Sequence, residues 1–139
     1  GLRGAQAFSA RNSFDEIYTL DTVSAGNLPW GNFHQSPART GGGPVIRLAD
    51  RKGVSSLRLR NFVKEVARKN KIEVQEIVTG GSTDAAAAFE AGLNSIPLCI
   101  PVKYTHSQVE MMSIADYHNS LKLLLLIGTS VSGDGSLTH

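Results

Sequence analysis

PVIRLADRKGVSSLRLRNFVKEVARKNKIEVQEIV, residues 44–78, decides the fold class. Pro44 to Ala49 is a short apolar run with proline at its first position, where a strand tolerates the missing N–H. Ser55 or Ser56 then caps a helix to about Asn70. Its apolar residues Leu59, Phe62, Val63, Val66 and Ala67 follow the i, i+3, i+4, i+7, i+8 spacing of one buried face. Ile72 to Val78 returns to strand formers. Strand, helix and strand within one short stretch is the signature of a layered α/β sheet.

The same alternation extends in both directions. Leu2, Ala5 and Phe8, three apart, predict a short amphipathic helix to about Arg11, and Glu16 to Val23 reads as a strand ending near Asp21. Ser24 to Gly43 is rich in glycine and small polar residues and reads as a long surface loop, the kind that tends to carry function. Downstream, Thr79 to Asp84 is a glycine-rich turn into an alanine helix, Ala85 to Ala91, closed by Gly92. Ile96 to Val102 holds two prolines, which predicts an edge strand or a bulge. Ser113 and Asp116 have capping-box spacing ahead of a last helix whose buried face would be Ile114, Tyr117, Leu121, Leu124 and Leu125. Residues 1–127 thus form one unit, and from Gly128 a Gly, Ser and Thr tail, 128–139, is expected to be disordered.

Composition narrows the function. The 139 residues carry 14 Lys plus Arg against 12 Asp plus Glu, a net charge of +2, too little to gather polyanions. Eight of the cations, Arg51, Lys52, Arg58, Arg60, Lys64, Arg68, Lys69 and Lys71, share one loop and helix without aromatic partners, so they read as a solvated face and not as a nucleic-acid surface. No uninterrupted apolar run exceeds five residues, where a helical span needs about 20. Cys99 is the only cysteine and cannot form an internal disulfide, so a reducing, cytoplasmic setting is expected. The chain opens on Gly1 inside what reads as a running element, so residues upstream are expected.

Three features sit where a strand meets a loop, the usual place for functional groups in open α/β sheets. Asp21 places a carboxylate at the end of an apolar strand, where a metal or the turn's own backbone would compensate it. Gly80-Gly81-Ser82-Thr83-Asp84-Ala85 could cap a helix or hold part of a substrate through free N–H groups, and it matches neither phosphate-binding glycine motif. His106 could ligate a divalent cation, and Ser107 with Glu110 has the spacing to fix the loop behind it. His34, His118 and His139 have no partner at metal-ligand spacing.

In order and spacing these pieces resemble one family. Gly1-Leu2-Arg3-Gly4-Ala5, Leu20-Asp21-Thr22 with Ala25-Gly26-Asn27-Leu28-Pro29, the Gly80 to Ala85 turn, and Tyr104-Thr105-His106-Ser107 with Val109-Glu110 resemble the C-terminal half of the catalytic domain of the tetrahedral aminopeptidases. These are cytosolic di-metal exopeptidases, also described as deblocking or glutamyl aminopeptidases, and some carry an endoglucanase label. The resemblance implies a three-layer α/β/α sandwich around a mixed sheet. It implies that Asp21 ligates one of two zinc or cobalt ions and His106 the other. Gly81, Thr83, Asp84, Ser107 and Glu110 would bind substrate or support the ligands. No catalytic residue is implied within this chain: the family's Glu-Glu pair, with the general base, stands just before the Gly-Leu-Arg-Gly-Ala segment. Peptide substrates, a companion N-terminal part and a twelve-subunit homo-oligomer are the implied partners, with no nucleic acid and no membrane. Asn27 stands where the family often has an acidic residue, and Ser82 interrupts the usual glycine run. The competing readings are a non-catalytic α/β binding module and a glycosidase, which would need a pair of carboxylates flanking a sugar bond.

Overall fold

The computed structural model describes residues 2–31 and 36–133; His34, His139 and the last residues of the expected tail lie outside the described residues. Elements follow the order α1 (Arg3–Arg11), β1 (Ile17–Ser24), β2 (Val45–Ala49), α2 (Leu57–Lys69), β3 (Gln75–Val78), α3 (Ala85–Glu90), β4 (Ser95–Lys103), β5 (Met111–Met112) and α4 (Ile114–Gly133). The strands form one mixed sheet in the order β1-β4-β2-β3, with β5 pairing the end of β4. β1 and β4 run parallel over eight register pairs, from Ile17↔Ser95 to Ser24↔Val102. β2 and β3 are parallel to each other and antiparallel to β4.

Register assigns the two faces. Side chains of paired residues share a face and alternate along each strand. Ile46, Ile96 and Leu98 therefore point to one side, where α2 and α4 bury them with Leu59, Val63, Val66, Ala67, Leu123 and Ile127. This is the main core. Val45, Cys99, Val23 and Ile77 point to the other side and form a smaller cluster with Ala38. There α3 packs on β1 and β4, and α1 packs on α3. The result is the expected α/β/α layering.

Three expectations are corrected. β4 is an interior strand despite Pro97 and Pro101. Ile17 and Ala25 donate to the carbonyls of Asn94 and Val102, so the even-numbered residues of β4 turn their backbone groups to β1 and the prolines face the opposite neighbour. On that side the ladder to β2 is only two pairs long, Val45↔Cys99 and Ile46↔Leu98, and stops where Pro97 follows; β5 takes over at Val102 and Lys103. The Arg47 carbonyl beyond the ladder receives the Ser55 hydroxyl instead, at 2.5 Å.

The second correction concerns α4. Its buried stripe is Asp116, Ser120, Leu123 and Ile127, whereas Ile114, Tyr117, Leu121 and Leu125 are exposed. An apolar helix side needs something to pack on, and the main core meets a different side of this helix. The helix also runs to Gly133 instead of fraying at Gly128. Hydroxyl groups past the expected break are satisfied within it: Thr129 and Ser130 donate back to the carbonyls of Leu125 and Leu126.

Thirdly, the 24–43 segment is tied into the fold. Ala25 and Ala38 are buried, Ala25 bridges to Pro37 and Ala38, and Asn27 uses both ends of its amide on Thr40, its Nδ2 donating to the Thr40 carbonyl and its Oδ1 accepting from the Thr40 N–H. The basic helix agrees with its sequence reading. Arg60 and Lys64 pair with Glu76, Arg58 with Glu16, and Arg68 with Glu65. Ser56 supplies the α2 cap, accepting from the Leu59 N–H at 3.5 Å.

Candidate metal centre

β1 and β4 are neighbours and parallel, so both strands end on one edge of the sheet. Asp21 stands three residues before the end of β1, opposite Cys99 in the register. It is half-buried, and its Oδ1 accepts the N–H of Thr22 at 2.7 Å. The backbone compensation open to a carboxylate here is therefore partly used.

His106 stands three residues beyond β4, on an exposed turn that leads into β5. The turn is sharply wound: Tyr104 and His106 have φ of 62° and 63°, the left-handed region that non-glycine residues enter only when neighbours enforce it. Glu110 ties the second of them down, its Oε1 accepting the His106 backbone N–H at 2.8 Å. Ser107 donates to the Val109 carbonyl at 2.7 Å. The Ser107/Glu110 spacing thus builds no helix cap; it closes a turn that holds up the His106 imidazole.

The glycine-rich turn also differs in detail from its expected form. Thr83, buried, accepts the Ala85 N–H through its hydroxyl at 3.3 Å, while Asp84 is exposed and makes no side-chain cap. Gly81 lies over Arg47: a Cβ at position 81 would stand 3.2 Å from the Arg47 Nη2. Arg47 is the residue whose part the sequence reading missed. A cation inside the apolar run Pro44 to Ala49 was the available signal. Its side chain is 4% exposed, its Nη2 is 3.8 Å from the Asp50 Oδ2, and its Nε and Nη2 are without hydrogen-bond partners among the described residues. Asp50 spends Oδ1 on the N–H groups of Lys52 and Gly53.

Arg47, Asp21 and Asp50 all act on the Cys99 thiol. Burial pushes it up to about 12, the two carboxylates add to the rise, and the guanidinium opposes them. Cys99 is thus a neutral, packed thiol amid charged groups and has no nucleophilic role.

Asp21 and His106 offer an oxygen and a nitrogen donor, the right chemistry for zinc or cobalt. Two donors fall short of the three protein ligands that a single catalytic zinc takes. Among the described residues, no group of three or more His, Cys, Asp or Glu side chains could hold an ion, and no hydrogen bond or ion pair joins Asp21 to His106. The donors fit as part of a larger set.

Comparison with known proteins agrees with this partial character. A putative aminopeptidase from Acetivibrio thermocellus is 34% identical over 128 residues, covering 90% of this chain and 38% of the relative. A TET aminopeptidase from a marine sediment Thaumarchaeota archaeon superposes with a TM-score of 0.85 at 32% identity, over 91% of this chain and 36% of that one. The Pyrococcus horikoshii TET1 peptidase, which can assemble into a tetrahedron or a large octahedral shell, gives 0.75 at 34% identity, over 91% and 37%. The chain therefore spans little more than a third of the length of these relatives. The model of the M42 glutamyl aminopeptidase family matches residues 1–123, and the chain belongs to that family.

Proposed function

We propose that this chain supplies part of the dinuclear metal site of an aminopeptidase, with Asp21 ligating one ion and His106 the other. Zinc or cobalt is the proposed metal, and the remaining ligands and the general base would come from polypeptide outside these 139 residues. What supports the reading above all is that Asp21 lies in the C-terminal half of β1 and His106 just past the C-terminal end of the adjacent, parallel β4, within the stretch that matches the family. Bound ions would supply Lewis acidity toward the scissile carbonyl and lower the pKa of water.

The chain's own residues would do the rest of the work by holding position. Glu110 and Ser107 fix the turn that carries His106. Thr83 anchors the turn containing Gly81 and Asp84, which follows β3 and so lies toward the end of the sheet where β1 and β4 begin, away from His106. Assembly into a dodecamer, by likeness to the TET peptidases, and a cytoplasmic setting belong to the same proposal.

Chelation and metal analysis of the complete gene product test it, with hydrolysis of amino-acid p-nitroanilides as readout. Two ions per site are expected, and chelator-sensitive release of p-nitroaniline. Asp21→Asn and His106→Ala should each lose at least about 100-fold in activity, since even residues that only support metal ligands cost 10–100-fold. Full activity in a metal-free, chelated sample would end the proposal.

A further inference from the structure

We infer that ordered water fills a buried polar site between the sheet and α3, bridging Arg47 and Asp50 to the hydroxyls of Thr19 and Ser95. The inference rests on nothing in the metal chemistry and uses neither of the proposed metal ligands.

Register brings these groups to one face and one end of the sheet. Thr19 pairs with Pro97 across β1 and β4, and Ser95 lies two residues earlier on β4, so the two hydroxyls are diagonal neighbours on that face. Arg47 stands one place beyond the Ile46↔Leu98 pair, level with Pro97 on its other side. β2 runs antiparallel to β4, so Asp50 follows toward the start of β4, where Ser95 stands. Pro97 offers only a hydrocarbon ring to the row. Over this face α3 packs on β1 and β4 with Ala85, Ala86, Ala87 and Ala88 buried. Methyl groups give the polar atoms beneath them no hydrogen-bond partner.

Five side-chain atoms there, Arg47 Nε and Nη2, Asp50 Oδ2, Ser95 Oγ and Thr19 Oγ1, are shut off from solvent and make no hydrogen bond among the described residues. The Arg47 and Asp50 side chains are 4% and 1% exposed, and the 3.8 Å between them is an ion pair too long for a hydrogen bond. The chemistry of the set selects its ligand. The guanidinium needs an acceptor, the free carboxylate oxygen needs a donor, and the hydroxyls take either. A bound anion would meet the Asp50 carboxylate, a bound cation the Arg47 guanidinium, and the pair is already neutral in sum. Water donates and accepts at once, and buried waters settle where a few polar groups converge without other partners. Two strand spacings, about 10 Å, separate the Thr19 and Arg47 backbones. At about 2.8 Å per hydrogen bond, a short chain of waters covers what the side chains do not.

A high-resolution crystal structure of the complete gene product tests this directly, with ordered waters expected within about 3.2 Å of Arg47 Nε, Ser95 Oγ and Thr19 Oγ1. Thermal denaturation of the same protein adds a readout whose sign decides. A dry, unpaired hydroxyl is a cost, so deleting it raises the melting temperature; a hydroxyl bonded to buried water is a satisfied partner, so deleting it lowers the melting temperature. Thr19→Val, which keeps the shape, and Ser95→Ala should each melt a few degrees lower. The double variant T19V/S95A should lose less than the two losses added, because the hydroxyls share waters. Variants that melt higher than the parent would overturn the inference, as would strictly additive losses. So would a dry site, an ion within it, or a side chain from outside these 139 residues bonded to the same atoms. A protein that holds the waters but releases no p-nitroaniline keeps the site and sinks the peptidase reading instead.

Discussion

Removing the Asp116 carboxylate should unfasten the loop beside the proposed site. Asp116 is 1% exposed and accepts the N–H groups of Gly41 at 2.7 Å and Gly43 at 2.9 Å, more than seventy residues away in the chain. Hydrogen bonds to a charged group contribute about 1.5–3 kcal/mol each. Asp116→Ala forfeits both and leaves two amides without their acceptor, so it should cost about 3–5 kcal/mol, a large share of the roughly 5–15 kcal/mol that holds a domain together. Asp116→Asn keeps one acceptor and turns an NH₂ toward an N–H, for about 2–3 kcal/mol. Urea denaturation gives the energies, and hydrogen exchange should show the Gly41 and Gly43 amides opening before the main core does. The bond from Ser120 goes to the Asp116 backbone carbonyl and survives both changes. A loss below about 1 kcal/mol in Asp116→Ala, with both amides still slow to exchange, would refute the reasoning.

Other outcomes follow from single positions. Gly43 has φ 85°, and a Cβ there would overlap the Glu73 carbonyl, so Gly43→Ala should cost about 3 kcal/mol or more by thermal denaturation. Gly4→Ala, in α1 with nothing near the new methyl, should stabilise by about 0.5–1 kcal/mol. Arg60 and then Lys64 hold the Glu76 carboxyl below its usual range. A lowered folded-state pKa contributes stability that is present above the unfolded value and fades as pH falls through the folded one. Glu76→Gln should therefore cost less than about 1 kcal/mol at neutral pH, and the difference from the parent should shrink as acid titrates that carboxyl. Cys99, with its thiol near 12, should resist Ellman's reagent in the native state at pH 8 and react at once in guanidinium; fast native labelling would contradict its burial.

The parts legible in the sequence are those set by local periodicity. α2 shows this best: Leu59, Val63, Val66 and Ala67 are buried as their spacing requires, and Ser56 supplies the cap. Where tertiary pairing decides, the sequence misleads. Prolines in β4 looked like edge markers because nothing local says that β2 will pair with only two residues between them. Asp116 has the spacing of a helix-capping residue. Its backbone N–H does meet the Ser113 hydroxyl, at 3.5 Å, but its carboxylate leaves for the 41–43 loop. Asp21 and His106 were readable as candidates through order and spacing of motifs. That their strands are adjacent and parallel is a property of the sheet order, which no single strand encodes.

The two faces of the sheet show why the polar side is the one to suspect. The face under α2 and α4 is filled by aliphatic side chains. The buried polar side-chain atoms without a hydrogen-bond partner among the described residues are Thr19 Oγ1, Ser95 Oγ, Arg47 Nε and Nη2, and, just past the end of β2 and ion-paired to Arg47, Asp50 Oδ2. By register, Thr19, Ser95 and Arg47 share the other face with Asp21 and Cys99. Each such atom costs about 1–3 kcal/mol when left dry. A fold selected for packing alone would replace them with aliphatic groups of similar volume, as the first face does. By register they lie toward the start of β1 and β4, beneath a glycine turn, and their concentration there is an expense in stability that the packing of this chain does not explain.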